Sequence, residues 1–279
     1  MQGRCLCGDV AWEVEGEGEL VHHCHCGMCR KVHGTPYATA GGFPEASFRF
    51  VRGEAGLRHY ESSRGNRRSF CGRCGSAVPG EATQGLVFVS LGGLEGDPGG
   101  RPLAHIFVAS KAPWHDIQDD LPRFDAYPPG YSDPELISRD VPHASAGRIG
   151  GSCLCAAVAY EFTGPADRWH ECFCSRCRYA RQAAHGSNLF VSLDRFAWTR
   201  GEEHVESFKL PEAARFGQSF CGICGGKVPR VNPQMGFAAV PAGSLDDDPG
   251  TRPLSSIFVS SKAAWAEVPT GRPALPEGP

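Results

Sequence analysis

Gly3-Arg4-Cys5-Leu6-Cys7 returns 148 residues later as Gly151-Ser152-Cys153-Leu154-Cys155, and this repetition decides how the rest of the chain is read. At the same offset Cys24-x-Cys26-x-x-Cys29-Arg30 returns as Cys172-x-Cys174-x-x-Cys177-Arg178, and Arg52-Gly53-Glu54 as Arg200-Gly201-Glu202. After a two-residue insertion in the second copy, Ser69-Phe70-Cys71-Gly72-x-Cys74-Gly75 matches Ser219-Phe220-Cys221-Gly222-x-Cys224-Gly225. Further on, Arg101-Pro102-Leu103, Ile106-Phe107-Val108, Lys111 and Trp114 match Arg252-Pro253-Leu254, Ile257-Phe258-Val259, Lys262 and Trp265. All 14 cysteines fall into the pattern, seven per copy. One long internal repeat predicts two tandem domains, 1–127 and 147–279, the second more divergent. Between them, 128–146 reads as linker, its boundary marked by Tyr127-Pro128-Pro129-Gly130 and Ser132-Asp133-Pro134. The stretch after Val268 is rich in Pro and Gly and is expected to fray.

Each copy is long enough to bury a core. Hydrophobic content of 41% and charged content of 21% are ordinary for a globular protein. A net charge of −3 offers no basic field, which argues against nucleic acid and anionic lipid as partners. No apolar run reaches the length of a membrane helix. The start, from Met1 to Trp12, lacks a secretory layout, so the cytoplasm is the expected compartment. There, clustered cysteines are more often metal ligands than cystines.

With 36 Gly and 22 Pro, the composition favours short strands and many turns. Val10, Trp12 and Val14 alternate with Ala11, Glu13 and Glu15, the period of a half-buried strand. Val158, Tyr160 and Phe162 keep that apolar face in the second copy. Residues 86–91 and 105–110, rich in Val, Ile and Phe, are further strand candidates. No strongly amphipathic helix is evident. The expected fold is mainly β.

The knuckle Cys71-Gly72-Arg73-Cys74-Gly75 places two thiolates on a tight turn, where Gly72 and Gly75 permit positive φ. Zinc takes four tetrahedral ligands, so a second pair is needed, and Cys5-x-Cys7 is available in both copies. Cys24, Cys26 and Cys29 form a separate triplet. Three protein ligands leave a fourth position open, as catalytic zinc sites do. Three thiolates also leave the site electron-rich, a weak activator of water but suited to receiving an incoming thiol. Disulfides, an iron or iron–sulfur site, and purely structural zinc remain open at this point, and spacing alone does not fix the split into four and three.

The Gly-x-Cys-x-Cys start, His23-Cys24-x-Cys26-x-x-Cys29-Arg30, Arg68-Ser69-Phe70-Cys71-Gly72-x-Cys74-Gly75 and His105-Ile106-Phe107-Val108-x-Ser110-Lys111-x-Pro113-Trp114 together resemble the glutathione-dependent formaldehyde-activating enzyme family, the GFA or CENP-V domain. The likeness covers nearly all of 2–126 and, more loosely, 148–267. It implies two small zinc-binding domains of packed antiparallel sheets. It also implies the ligand split: structural zinc at Cys5, Cys7, Cys71 and Cys74 and at Cys153, Cys155, Cys221 and Cys224, and catalytic zinc at Cys24, Cys26 and Cys29 and at Cys172, Cys174 and Cys177. Four zinc ions per chain follow. The implied activity is that of a carbon–sulfur lyase joining glutathione to formaldehyde. A non-catalytic zinc module, serving protein interaction or metal buffering, is the alternative.

The copies differ around these ligands. Arg67 and Arg68 face Gly217 and Gln218, and His23 faces Glu171. The second copy also reads as lacking the ending Asp120-Leu121-Pro122-Arg123-Phe124. Arg67 and Arg68 are either a solvated pair or a grip on a substrate carboxylate. On these differences the first copy is the better preserved site. His22, His23 and His25 read as packing beside the triplet rather than as ligands, because Trp169, His170 and Phe173 occupy that stretch in the second copy. Trp114 and Trp265 read as core, and Lys111 and Lys262 as surface residues with buried stems. The two copies are expected to pack as an internal pseudo-dimer.

Overall fold

The computed structural model describes residues 1–131 and 135–279, so the Ser132-Asp133-Pro134 part of the linker lies outside the described residues. In the first copy the elements are β1 (Gln2–Arg4), β2 (Ala11–Val14), β3 (Glu19–Cys24), α1 (Gly27–His33), β4 (Ala38–Pro44), β5 (Phe48–Arg52), β6 (Leu57–Ser63), β7 (Asn66–Cys71), β8 (Ala77–Val78), β9 (Leu86–Ser90) and β10 (Ala104–Ile106). The second copy has β11 (Arg148–Ser152), β12 (Ala159–Thr163), β13 (Arg168–Cys172), α2 (Ser175–Arg181), β14 (Gly186–Ser192), β15 (Phe196–Arg200), β16 (Val205–Lys209), β17 (Gly217–Cys221), β18 (Lys227–Val228), β19 (Arg230–Asn232), β20 (Phe237–Pro241), β21 (Ser255–Ile257) and β22 (Ala274–Leu275). The chain is mainly β, and the sheets repeat: β1-β2-β5 matches β11-β12-β15, β6-β7-β8 matches β16-β17-β18, and β10-β3-β4-β9 matches the core of β19-β20-β14-β13-β21-β22. Pairing is antiparallel apart from β10 on β3, β21 on β13 and β22 on β21.

The alternation read from sequence is the buried face of β2 and β12. Val10, Trp12 and Val14 are buried, as are Val158, Tyr160 and Phe162. Residues 86–90 form β9, but 105–110 divide into the end of β10 and a 3₁₀ turn, because Phe107 adopts a left-handed φ of 57°. Two short α-helices also occur where none was expected from periodicity. At seven residues each they are too short to write a 3.6-residue pattern. Their starts are set instead by Cys26 and Cys174, whose sulfurs accept from the backbone N–H of Cys29 and Cys177. Gly34 and Gln182 end them in the left-handed conformation.

The copies interlock. Trp114, from the first copy, is buried edge-on against Trp169 in the second copy's core, 5.2 Å between ring centroids. Trp265, from the second, is buried with Val14, Val21 and Phe43 of the first. Equivalent positions also meet: Phe70 stands edge-on to Phe220, and Arg58 pairs with Glu206 at 2.6 Å. A Cβ on Gly75 would lie 2.2 Å from the Phe220 ring, and one on Gly225 2.6 Å from Phe70. These two glycines therefore serve the interface as well as their own positive-φ turns.

The second copy does have a counterpart to the 120–124 ending. His105 pairs in parallel with Arg123, and Ser256 pairs in parallel with Ala274 of β22. The Pro- and Gly-rich tail is thus tied to the sheet edge by backbone bonds that its composition does not reveal. Leu136 of the linker bridges to Ser63, at the end of β6.

Candidate metal centres and active-site cleft

Four clusters of sulfur form: Cys5, Cys7, Cys71 and Cys74; Cys153, Cys155, Cys221 and Cys224; Cys24, Cys26 and Cys29; and Cys172, Cys174 and Cys177. The fourfold clusters join two elements distant in sequence. The β1–β2 turn supplies one pair, and the knuckle after β7, or after β17, the other. The triplets form where β3 or β13 runs into its short helix, so one sulfur comes from a strand end and two from the helix start.

These sites suit a metal. Four sulfurs held at about 2.3 Å from a zinc ion at the corners of a tetrahedron lie about 3.8 Å from one another. Cys5 and Cys7 are 3.4 Å apart, Cys7 and Cys71 3.7 Å, Cys153 and Cys155 3.5 Å, Cys155 and Cys221 3.9 Å, and Cys172 and Cys174 3.5 Å. A disulfide needs about 2.05 Å, and every described cysteine is unbridged. An all-thiolate tetrahedral set is the donor type of zinc or iron–sulfur sites.

The first triplet opens into a cleft of about 290 Å³. Cys24, Cys26 and Cys29 line it together with His22, Phe88, Tyr127, Asn66, Arg67 and Arg68. The two arginines part company. Arg68 is half-buried: its Nη2 donates to the Cys29 sulfur at 3.6 Å and its Nε to Ser62 Oγ at 3.1 Å. Burial opposes its charge, but the neighbouring thiolates outweigh that and raise its affinity for the proton. Arg67 is half-exposed at the rim and pairs with Glu81. Alternation along β7 accounts for the difference, since successive side chains leave opposite faces.

The histidines lie as the repeat suggests. His23 Nδ1 bonds Thr39 Oγ1 at 2.9 Å, and His25 Nε2 bonds His105 Nδ1 at 2.8 Å, with His105 Nε2 on Asp119. Burial first, then the like-charge neighbours His115 and His105, push His25 down to about 2, so its ring is neutral at neutral pH. None of these rings joins a sulfur cluster. His22 alone of the three flanking histidines faces the cleft. Lys111 and Lys262 donate to the backbone carbonyls of His115 and Ala266.

Sequence reasoning missed Tyr127, placed there in the linker boundary. Its ring stands edge-on to Phe107, 4.7 Å away, over the triplet. The register of the tail strands puts Gly278 at this position in the second copy, a correspondence that only the pairing reveals.

The chain is thus a mainly β protein of tandem design with four sulfur clusters fit for metal, one of them opening into a cleft. The model of the family "Glutathione-dependent formaldehyde-activating enzyme" matches residues 1–110 and again 148–261, and the chain belongs to that family. Among solved structures, one of a Rhodobacter sphaeroides protein is similar at 30% identity over 34% of this chain and 89% of that one, with a TM-score of 0.30. No curated protein matches. No described helix is long and apolar enough to cross a membrane.

Proposed function

We propose that the chain is a zinc-dependent enzyme of the carbon–sulfur lyase type, forming or cleaving the adduct of a glutathione-like thiol with formaldehyde or a similar small aldehyde. In this reading Cys24, Cys26 and Cys29 hold the working zinc, the two fourfold sets hold structural zinc, and the units are 1–127 and 147–279. The observation that carries it is the pairing of a three-sulfur site with an open cleft. Zinc bound there would supply a coordination position at which an incoming thiol loses its proton readily.

The chain's own residues do the rest. Arg68 sets a positive charge beside the Cys29 thiolate and offsets the excess negative charge of the triplet. Arg67 and Asn66 at the rim offer donors to the carboxylates of a peptide-like thiol. Phe88, Phe107 and Ile106 give the cleft apolar surface beside the triplet, on which a small aldehyde can rest. In the forward direction the sulfur lone pair forms the carbon–sulfur bond, the carbonyl π pair moves to oxygen, and that oxygen takes up a proton. The thiol proton balances it.

The second triplet fits the non-catalytic alternative better, because larger side chains stand where the first cleft is lined by small ones. Asn188 and Arg230 replace Ala40 and Gly80, while Lys227, at the position of Ala77, turns to the knuckle carbonyls of Gly75 and Gly225. Arg181, at the position of His33, donates to Asn188 at 2.8 Å. The test is the rate of S-hydroxymethylglutathione formation with fully zinc-loaded protein. Acceleration over the spontaneous reaction, lost in Cys24→Ser/Cys26→Ser/Cys29→Ser and retained in Cys172→Ser/Cys174→Ser/Cys177→Ser, is expected. No acceleration in the wild-type protein would refute the enzymatic reading.

A further inference from the structure

The two triplet helices do not rest on their own copies' fourfold clusters. Val32 of α1, with Met28 beside it, packs among Leu154, Val158 and Val228 around Cys153, Cys221 and Cys224 of the second copy. Tyr179 and Ala180 of α2 pack with Leu6 around Cys5, Cys71 and Cys74 of the first. Polar bonds follow the same crossing. Lys31 of α1 donates to Ser152 O and Ser152 Oγ at 2.8 Å each and to Asp246 at 2.6 Å, all in the second copy. His33 Nδ1 bonds Arg181 O at 2.7 Å. In return, Ser76 of the first knuckle donates to Tyr179 O, and Arg178 of α2 donates to Leu94 O at 2.7 Å. Between the knuckles the buried ammonium of Lys227 donates to Gly75 O and Gly225 O, carbonyls at equivalent positions of the two copies.

We propose that each triplet site is seated on the other copy's fourfold cluster, so that metal held by Cys153, Cys155, Cys221 and Cys224 is a condition for metal retention at Cys24, Cys26 and Cys29. This rests on the reading that both kinds of cluster bind zinc. The physical reason is the length of α1. A seven-residue helix has no stability of its own. Its docking face therefore fixes where Cys26 and Cys29 lie relative to Cys24 on β3. That docking face is divided between the 3₁₀ turn Ala242–Ser244, where Gly243 lets the backbone approach Arg30, and the turn-and-knuckle surface of the second copy, whose two chain segments the sulfur cluster fastens together. The second copy thus supports the first copy's cleft even though its own triplet is crowded.

The experiment uses the full chain, with zinc content by elemental analysis and iodoacetamide protection of each cysteine mapped by peptide mass. Cys221→Ser/Cys224→Ser is expected to lose two zinc ions rather than one and to expose Cys24, Cys26 and Cys29 to alkylation. Cys172→Ser/Cys174→Ser/Cys177→Ser is expected to lose one and to leave Cys24, Cys26 and Cys29 protected. Should the knuckle variant unfold, Lys31→Met and, on the other copy, Asp246→Asn decide. Each keeps every cysteine and is expected to speed zinc release from Cys24, Cys26 and Cys29 to a chelator at least about tenfold, with release from Cys172, Cys174 and Cys177 unchanged. Wild-type protection of the first triplet in the knuckle variant, or wild-type release in Lys31→Met and Asp246→Asn, would overturn the proposal. The readout is metal retention, so an inactive chain that shows the coupling refutes only the enzymatic reading.

Discussion

Replacing Arg68 with Gln gives the first copy the residue that the second carries as Gln218, and it removes the guanidinium that donates to the Cys29 sulfur. At the 3.6 Å separation seen between Arg68 Nη2 and Cys29, two unit charges attract by about 4.6 kcal/mol at an effective dielectric of about 20. The thiolate charge is shared with the other sulfurs and the bound metal, and charge-assisted hydrogen bonds are worth about 1.5–3 kcal/mol. A loss of about 2 kcal/mol corresponds to about 30-fold weaker zinc binding at the first triplet. Gln reaches less far and brings no charge, so little of the interaction is recovered. Competition with a chromogenic chelator measures the affinity, and kcat/KM with glutathione and formaldehyde is expected to fall in parallel. Arg68→Lys, which keeps the charge but loses the fork, should lie between. Unchanged zinc affinity in Arg68→Gln, with the fold intact by circular dichroism, would refute the role assigned to this charge.

Gly75→Ala should destabilise the chain by about 2–5 kcal/mol in chemical denaturation, from a left-handed φ of 72° and a Cβ driven into Phe220. Trp114→Ala should cost about 3–5 kcal/mol and loosen the second copy's core, read as faster amide exchange in β13 and β14 rather than in the first copy. Burial pushes His115 down to about 4, against about 6.5 for an exposed histidine. The unfolded chain takes up that proton first, so this contribution is complete above pH 6.5 and is lost as pH falls towards 4. His115→Phe should therefore flatten the acid limb of stability by about 1.4 kcal/mol per pH unit, measured by denaturant titration at several pH values.

The seven cysteines per copy were legible because a repeat in register is a statement about covalent sequence, and so was the buried alternation of Val10, Trp12 and Val14. The crossing of Trp114 and Trp265 into opposite cores was not legible. A tryptophan followed by turn residues reads as core in either copy, and only tertiary packing chooses which. Arg67 and Arg68 looked like one pair, whereas the pleat of β7 sends one to the rim and the other to a sulfur. The helices α1 and α2 escaped notice because seven residues hold too few turns for periodicity and because their caps are cysteines rather than Ser, Thr, Asp or Asn. Tyr127 was hidden by the neighbouring Pro-Pro-Gly run, since backbone pairing of 122–126 with β10 and Phe107, not composition, brings it to the cleft.

Elemental analysis on protein purified without added metal, together with a count of free thiols after denaturation, tests the whole account most directly. Four zinc ions per chain with all 14 cysteines recovered as thiols is the expected result. Metal-free protein, or cysteines recovered as disulfides, would contradict it.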